Sequence, residues 1–244
     1  MSFIEERFTH NLLQFDRTFS LTDSQLNQFR LFYINLVEWN RIMNLTTIED
    51  EEDVYIKHFL DSLSILQFVP RGTFCKGFSV IDVGTGAGFP GLPLAISFPE
   101  ARFTLVDSLG KRIRFLNDTL EKTGIHNVEC VHARAEDLGR DPTHREMYDL
   151  AVSRAVAGLN VLNEYCLPFV RTGGSFISYK SDKVSEELEG GIRAAAKLKA
   201  ELEQTKSFQL PETDYHRTLV VFRKTGTTPL KYPRRAGIPS KEPL

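Results

Sequence analysis

Apolar positions follow two different rhythms along this chain. Over the first 70 residues they recur every three or four positions. Leu26, Phe29, Phe32, Tyr33, Leu36 and Val37 mark one face of a helix, and Thr22 with Gln25 has the spacing of a capping box at its start. A second stripe, Val54, Ile56, Phe59, Leu63 and Leu66, follows the acidic run Glu49-Asp50-Glu51-Glu52-Asp53. Acids there suit the positive end of a helix dipole. Pro70, Arg71 and Gly72 punctuate the chain, and from residue 77 the period changes. The runs at 78–84, 102–107, 127–133, 148–153 and 174–180 read as buried strands, and patterns at about 90–98, 109–123, 158–169 and 182–204 read as helices.

Strand and helix alternating at this spacing predict right-handed crossovers and a doubly wound, Rossmann-like α/β parallel sheet. Two further strands, 207–211 and 216–224, are separated by only four residues. That gap is too short for a helix, so they should form an antiparallel pair. A dinucleotide-binding sheet repeats βαβ without such a reversal. The pattern divides the chain into a helical extension (1–70), an α/β domain (71–225) and a basic tail (226–244).

Composition narrows the class only modestly. The 244 residues are 41% hydrophobic and 25% charged, as in ordinary globular proteins. No stretch reaches the roughly 18 apolar residues that span a bilayer. The acidic start and three scattered cysteines (Cys75, Cys130, Cys166) suggest reduced thiols, a cytoplasmic location and no metal site. Net charge is only −2, but its distribution is uneven. Residues 1–60 hold ten acids and five Lys/Arg, whereas residues 223–244 hold six Lys/Arg and one acid. A basic surface facing phosphate and a merely solvated tail both fit this asymmetry. With no heptad pattern, a monomer is expected.

The strongest local signal is the loop Asp82-Val83-Gly84-Thr85-Gly86-Ala87-Gly88-Phe89-Pro90-Gly91, lying between an apolar strand and a helix. Glycine belongs where a ligand approaches the backbone too closely for a Cβ, or where φ is positive. Asp107, at the end of the next strand, is placed to accept ribose hydroxyls. Gly86-x-Gly88-x-x-Gly91 also satisfies the dinucleotide pattern. Asp82, expected near the amino-acid and sulfonium end of a methyl donor, would repel a pyrophosphate. It therefore favours S-adenosylmethionine as the cofactor. After the third strand, Glu136 and Asp137 border the adenine position or simply cap a short helix.

The fourth strand ends in Ser153-Arg154-Ala155-Val156, without the Asp/Asn-Pro-Pro-aromatic motif of amine methylation. Cys166-Leu167-Pro168 has the wrong order for a cytosine C5 nucleophile. Guanine N7 fits what remains. It carries an in-plane lone pair and no proton, so in-line placement, worth about 7–11 kcal/mol of a barrier, replaces a general base. Arg154 would hold methionine or purine by hydrogen bonding, or else pair with Asp82 or cap the next helix.

These motifs resemble the bacterial small-subunit rRNA guanine-N7 methyltransferases, the RsmG or glucose-inhibited division protein B family. The resemblance runs from Glu38-Trp39-Asn40 and Met43-Asn44-Leu45-Thr46 through Lys57-His58-Phe59-Leu60-Asp61-Ser62-Leu63 and the glycine loop. It continues with Val106-Asp107-Ser108-Leu109-Gly110-Lys111-Arg112, Arg134-Ala135-Glu136 and Ser153-Arg154-Ala155-Val156. It ends in Tyr232-Pro233-Arg234-Arg235-Ala236-Gly237-Ile238-Pro239. It implies methyl transfer to N7 of one guanine in 16S rRNA, free or in a small-subunit particle. Gly84, Phe89, Ala135, Glu136 and Arg154 would line the donor pocket, with Asp107 and Ser108 near the ribose and Asp82 and Gly86 in the loop. Lys57 and His58 would border the guanine pocket, although Lys57 and Asp61 also have the spacing of an i,i+4 ion pair and a lone helical His is commonly structural. Lys111, Arg112, Arg114, Arg234 and Arg235 would contact phosphate. A small-molecule methyltransferase and a non-catalytic assembly protein are the competing readings.

Overall fold

The computed structural model describes residues 2–181 and 184–244. Seven strands form one sheet: β1 (Ser79–Val83), β2 (Arg102–Asp107), β3 (Val128–His132), β4 (Tyr148–Arg154), β5 (Val170–Lys180), β6 (Ala200–Gln209) and β7 (His216–Lys224). Their order is β3-β2-β1-β4-β5-β7-β6, with β7 antiparallel to both β5 and β6. β1 pairs in parallel with β2 on one side and β4 on the other. The connections after β1 and β4 therefore diverge and leave a crevice at the carboxyl ends of the central strands, where ligands bind in open α/β sheets.

The central strands are buried on both faces, and their alternate residues serve two cores. Val80, Leu150 and Val152 face one, while Ile81 and Ala151 face the other. The first core is shared with the N-terminal helices, α1 (Phe3–Leu12) and α2 (Asp23–Met43), and with the segment that follows. That segment begins as α3 (Glu51–Val54), widens into a π-helical turn over Tyr55–Leu60, and closes through α4 (Asp61–Leu63) into a 3₁₀ turn at Ser64–Gln67. The capping box at Thr22 and Gln25 is present, and Asp50 caps α3 by accepting from the Asp53 N–H. Phe32 contacts Phe59 and Phe89 at centroid distances of 5.3 Å each, so the extension and the glycine loop share one aromatic junction. The helices α5 (Gly91–Ser97), α6 (Gly110–Thr123), α7 (Ala135–Leu138), α8 (Leu159–Cys166) and α9 (Ser185–Lys197) flank the sheet. Among the described residues no helix is long and apolar enough to cross a membrane.

Two expectations change. The pattern read as one helix over 182–204 begins on positions outside the described residues, ends as α9 at Lys197, and turns at Lys199 with φ +61°. β6 then starts at Ala200 and pairs with β7 as far as Gln209 opposite His216. Its Glu, Lys and Gln content imitates a helix, but on an edge strand such residues shield the open side from further pairing.

The basic tail is also less free than its composition suggests. Lys224 has a fully buried side chain and donates to Glu146, Thr228 and the carbonyls of Leu167 and Val170. Burial pulls its pKa down from the usual lysine value. Arg145 donates to the carbonyls of Thr228 and Tyr232, and Arg234 forms a forked pair with buried Glu164, at 2.6 Å for Nη2. The tail then ends in the short helix α10 (Ile238–Lys241). Arg234 thus fastens the tail to α8 and is not free to bind phosphate. Glu164→Gln would set an amide donor against the guanidinium. We expect it to cost about 3 kcal/mol in urea unfolding, in the range for breaking a buried pair, and to let protease release the tail earlier.

Candidate active site

The crevice is a cavity of about 970 Å³. Its floor is the loop after β1. Asp82 Oδ2 accepts from Thr85 Oγ1 at 2.7 Å and from the Gly91 N–H at 2.8 Å, so one oxygen closes both ends of the loop. A Cβ on Gly91 would lie 2.2 Å from Leu105 Cδ2, which is why the helix can press against the sheet only with glycine there. Gly86, at φ +62°, has open space where a Cβ would stand. Asp107, 2% exposed, accepts from the Gly86 N–H at 3.0 Å and the Leu109 N–H at 2.9 Å, and pairs with Arg112 at 3.1 Å. These bonds leave acceptor capacity on the carboxylate, and half-exposed Arg112 can yield its position to a ribose hydroxyl.

The opposite wall comes from the N-terminal layer. Within the π-helical turn, His58 stacks on Phe89 at 4.4 Å and 22°. Burial first, then the charge of Arg154, pushes its pKa down to about 3, while the nearby Lys57 carbonyl acts weakly the other way. His58 is therefore neutral at physiological pH and is no cationic phosphate contact. Arg154, at the end of β4, lies over Phe89 with Cζ 5.0 Å from the ring centroid. Asp61, 2% exposed, binds Arg154 at 2.6 Å through one oxygen and Arg217 at 3.0 Å through the other. Ala155, just after Arg154, has φ +58°, a strained value for a residue with a Cβ.

Gly84, Gly86, Phe89, Asp107, Ser108, Arg112, Arg154, Lys57 and His58 thus gather in one cavity. The other expected residues are placed as follows. Lys57 pairs with Asp53 at 2.7 Å instead of Asp61, because the helical turns around residues 55–61 aim Asp61 inward. Arg154 pairs with Asp61, not Asp82. Asp82 is fully buried beneath the loop and does not line the cavity. Burial raises its carboxyl to about 7, with Thr85 and Gly91 opposing. It shapes the loop from below. Ala135 and Glu136 lie outside the lining, and Glu136 Oε1 accepts from the Gly237 N–H at 2.8 Å, which ties α7 to the tail. Thr46, Lys180, Glu187 and Arg217 do line the cavity and were not singled out as site residues. Thr46 belongs to the run Met43-Asn44-Leu45-Thr46 that carries part of the family resemblance. Arg217 is brought to Asp61 across 156 positions by the antiparallel register of β7, which leaves no local signal.

This sheet order, with an antiparallel seventh strand, a glycine loop after β1 and an acid ending β2, defines a class I methyltransferase fold. A family profile described as GidB, rRNA small subunit methyltransferase G, matches residues 25–219. The chain belongs to this family. It is 51% identical over 226 residues to the ribosomal RNA small subunit methyltransferase G of Alkaliphilus oremlandii, covering 92% of each chain. To the protein of the same name from Lactobacillus delbrueckii subsp. bulgaricus it is 46% identical over 239 residues, covering 98% of this chain and 99% of that one. The fold is similar to that of the 16S rRNA (adenine(1408)-N(1))-methyltransferase from Catenulisporales acidiphilia, solved with cosubstrate SAM. There the TM-score is 0.51 at 14% identity, over 66% of this chain and 94% of that chain. A branched-chain polyamine synthase from Thermus thermophilus gives 0.54 at 13%, over 69% and 56%.

Because Asp82 is favoured in its protonated form when folded, its contribution to stability is fully present below pH 3.8. It declines as pH rises toward about 7, where the folded group also ionises. Asp82→Asn removes this dependence. In urea unfolding the stability difference should therefore move in favour of the variant between pH 4 and pH 8.

Proposed function

We propose that this chain binds S-adenosylmethionine over its glycine loop and transfers the methyl group to N7 of a guanine in 16S rRNA. The single observation that carries the reading is the convergence of loop, Asp107, Phe89 and Arg154 on one cavity at the carboxyl edge of the sheet. Gly86 leaves open space for a ligand against the backbone, and Asp107 offers a carboxylate acceptor beside it. Gly84, Phe89, Ser108 and Arg154 complete the donor side. When bound, the donor supplies an electrophilic methyl group on a sulfonium.

The residues suit transfer without a general base. His58 is held neutral with both ring nitrogens engaged, by Thr46 and Arg154. Asp61 is occupied by two guanidiniums, Asp107 by the loop, and Glu187 by Lys180 and the Leu159 N–H. N7 needs no proton removed, so these groups orient the reactants and hold no transferable proton in the reaction. Phosphate contacts fall to the exposed Lys111, Arg114 and Arg235 and to Lys57 and Arg112 at the rim. A cytoplasmic setting beside assembling small subunits fits the substrate.

Tritiated donor incubated with 16S rRNA, naked or in particles, should label one guanine on nuclease mapping. Labelling of a small molecule instead, or donor binding without transfer, would support the competing readings. The single-turnover rate should stay flat between pH 6.5 and 8.5 in Asp82→Asn, in which titration of that buried group plays no part. A rise of unit slope there would mean a general base. Arg235→Ala should weaken RNA binding and reduce the slope of log K against log salt by roughly one unit. Arg234→Ala should act through stability.

A further inference from the structure

Thr46 stands on the cavity wall contributed by the N-terminal layer, just beyond the turn where Asn44 caps α2 at φ 49°. Its backbone is clamped by Asn40, whose Oδ1 accepts from the Thr46 N–H at 2.8 Å and whose Nδ2 donates to the Thr46 carbonyl at 2.9 Å. Its hydroxyl oxygen accepts from the Ile48 N–H at 3.1 Å and lies 2.9 Å from His58 Nε2. The direction of that last bond is decided on the far side of the imidazole. Arg154 Nη2 is 3.3 Å from His58 Nδ1, and a guanidinium has only donors. We take Nδ1 as the acceptor from Arg154 in preference to a donor toward the nearby Lys57 carbonyl, so that a neutral ring carries its proton on Nε2 and donates it to Thr46. Ile48 and His58 together take both lone pairs of the hydroxyl. Its hydrogen finds no acceptor among the described residues and is left for whatever enters the cavity.

A hydroxyl normally donates and accepts, and so reads little. This one is restricted to donation by Arg154 acting through His58. On the edge of the base that includes N7, guanine presents a second acceptor, O6, whereas adenine presents an amino donor at the same place. Resting on the reading of guanine N7 as the methyl acceptor, we propose that the Thr46 hydroxyl donates a hydrogen bond to guanine O6 and that its donor-only state rejects adenine. An adenine amino group there would meet a donor with a donor. Positive charge developing on the ring during transfer weakens O6 as an acceptor. The contact therefore acts on binding and base choice, and appears in KM more than in kcat.

The test uses 16S rRNA carrying, at the mapped position, guanine, adenine or 2-aminopurine, which keeps N7 and lacks O6. Wild type, Thr46→Ser and Thr46→Val are compared on each RNA, so that differences in N7 nucleophilicity cancel. Thr46→Val should lose roughly tenfold in kcat/KM on the guanine RNA, mostly through KM, and almost nothing on 2-aminopurine. Discrimination against adenine should shrink by a similar factor, and Thr46→Ser should stay close to wild type. Equal loss on guanine and 2-aminopurine RNAs overturns the proposal. So does a ¹⁵N spectrum of the wild-type protein with the His58 proton on Nδ1, a readout that does not depend on how the variants fold. If wild type transfers no methyl to unmodified 16S rRNA, the functional reading falls and this proposal with it. Transfer with unaltered base ratios removes the proposal alone.

Discussion

The site depends on the carboxylate of Asp61. It comes from the N-terminal layer, yet its two oxygens are spent on guanidiniums from β4 and β7, Arg154 and Arg217. At 2% exposure an isolated carboxylate would be costly. Two charged donors in good geometry offset that cost and fix Arg154 over the Phe89 ring. The N-terminal helices are thereby wired electrostatically to the sheet at the crevice, in addition to being packed against it.

Apolar packing makes the same connection. Phe32 and Phe59 from the extension meet Phe89 from the glycine loop, and Phe32 also approaches Phe115 of α6. The loop is thus held from below by Asp82 and from the side by an aromatic cluster. Extension and sheet share one core, and the cavity between them has walls from both. The extension cannot be removed without opening the site.

Electrostatics assigns several ionisable groups to structure. Lys224 and Arg234 carry charges that a sequence count attributes to an RNA-facing tail, but each is paired with an acid, partly buried Glu146 and fully buried Glu164. Asp82 and Glu136 are similarly turned inward, one to the loop and one to the Gly237 N–H. What remains around the cavity is a small set of rim cations and an uncharged, fully engaged histidine. That setting suits an acceptor atom that needs placement and no deprotonation.

Much of the fold was legible in the sequence because hydrophobic period, capping residues and connection length act locally. The alternation of strands and helices, the antiparallel end and the glycine loop could all be read directly. Gly84, Gly86, Phe89, Asp107, Ser108 and Arg154, expected on the donor side, and Lys57 and His58, which the family resemblance implied for RNA binding, line one cavity. Where each polar side chain ends up was decided only by tertiary structure. Asp61 chose Arg154 and Arg217 over its helical neighbour Lys57, β6 formed because β7 supplied its hydrogen bonds, and Arg234 turned inward to pair with fully buried Glu164. The physical reason is common to these cases. Periodicity reports the burial of apolar area, which depends on neighbours along the chain. The partner of a buried charge is set by distance in space, which in Arg217 and Asp61 spans most of the sequence.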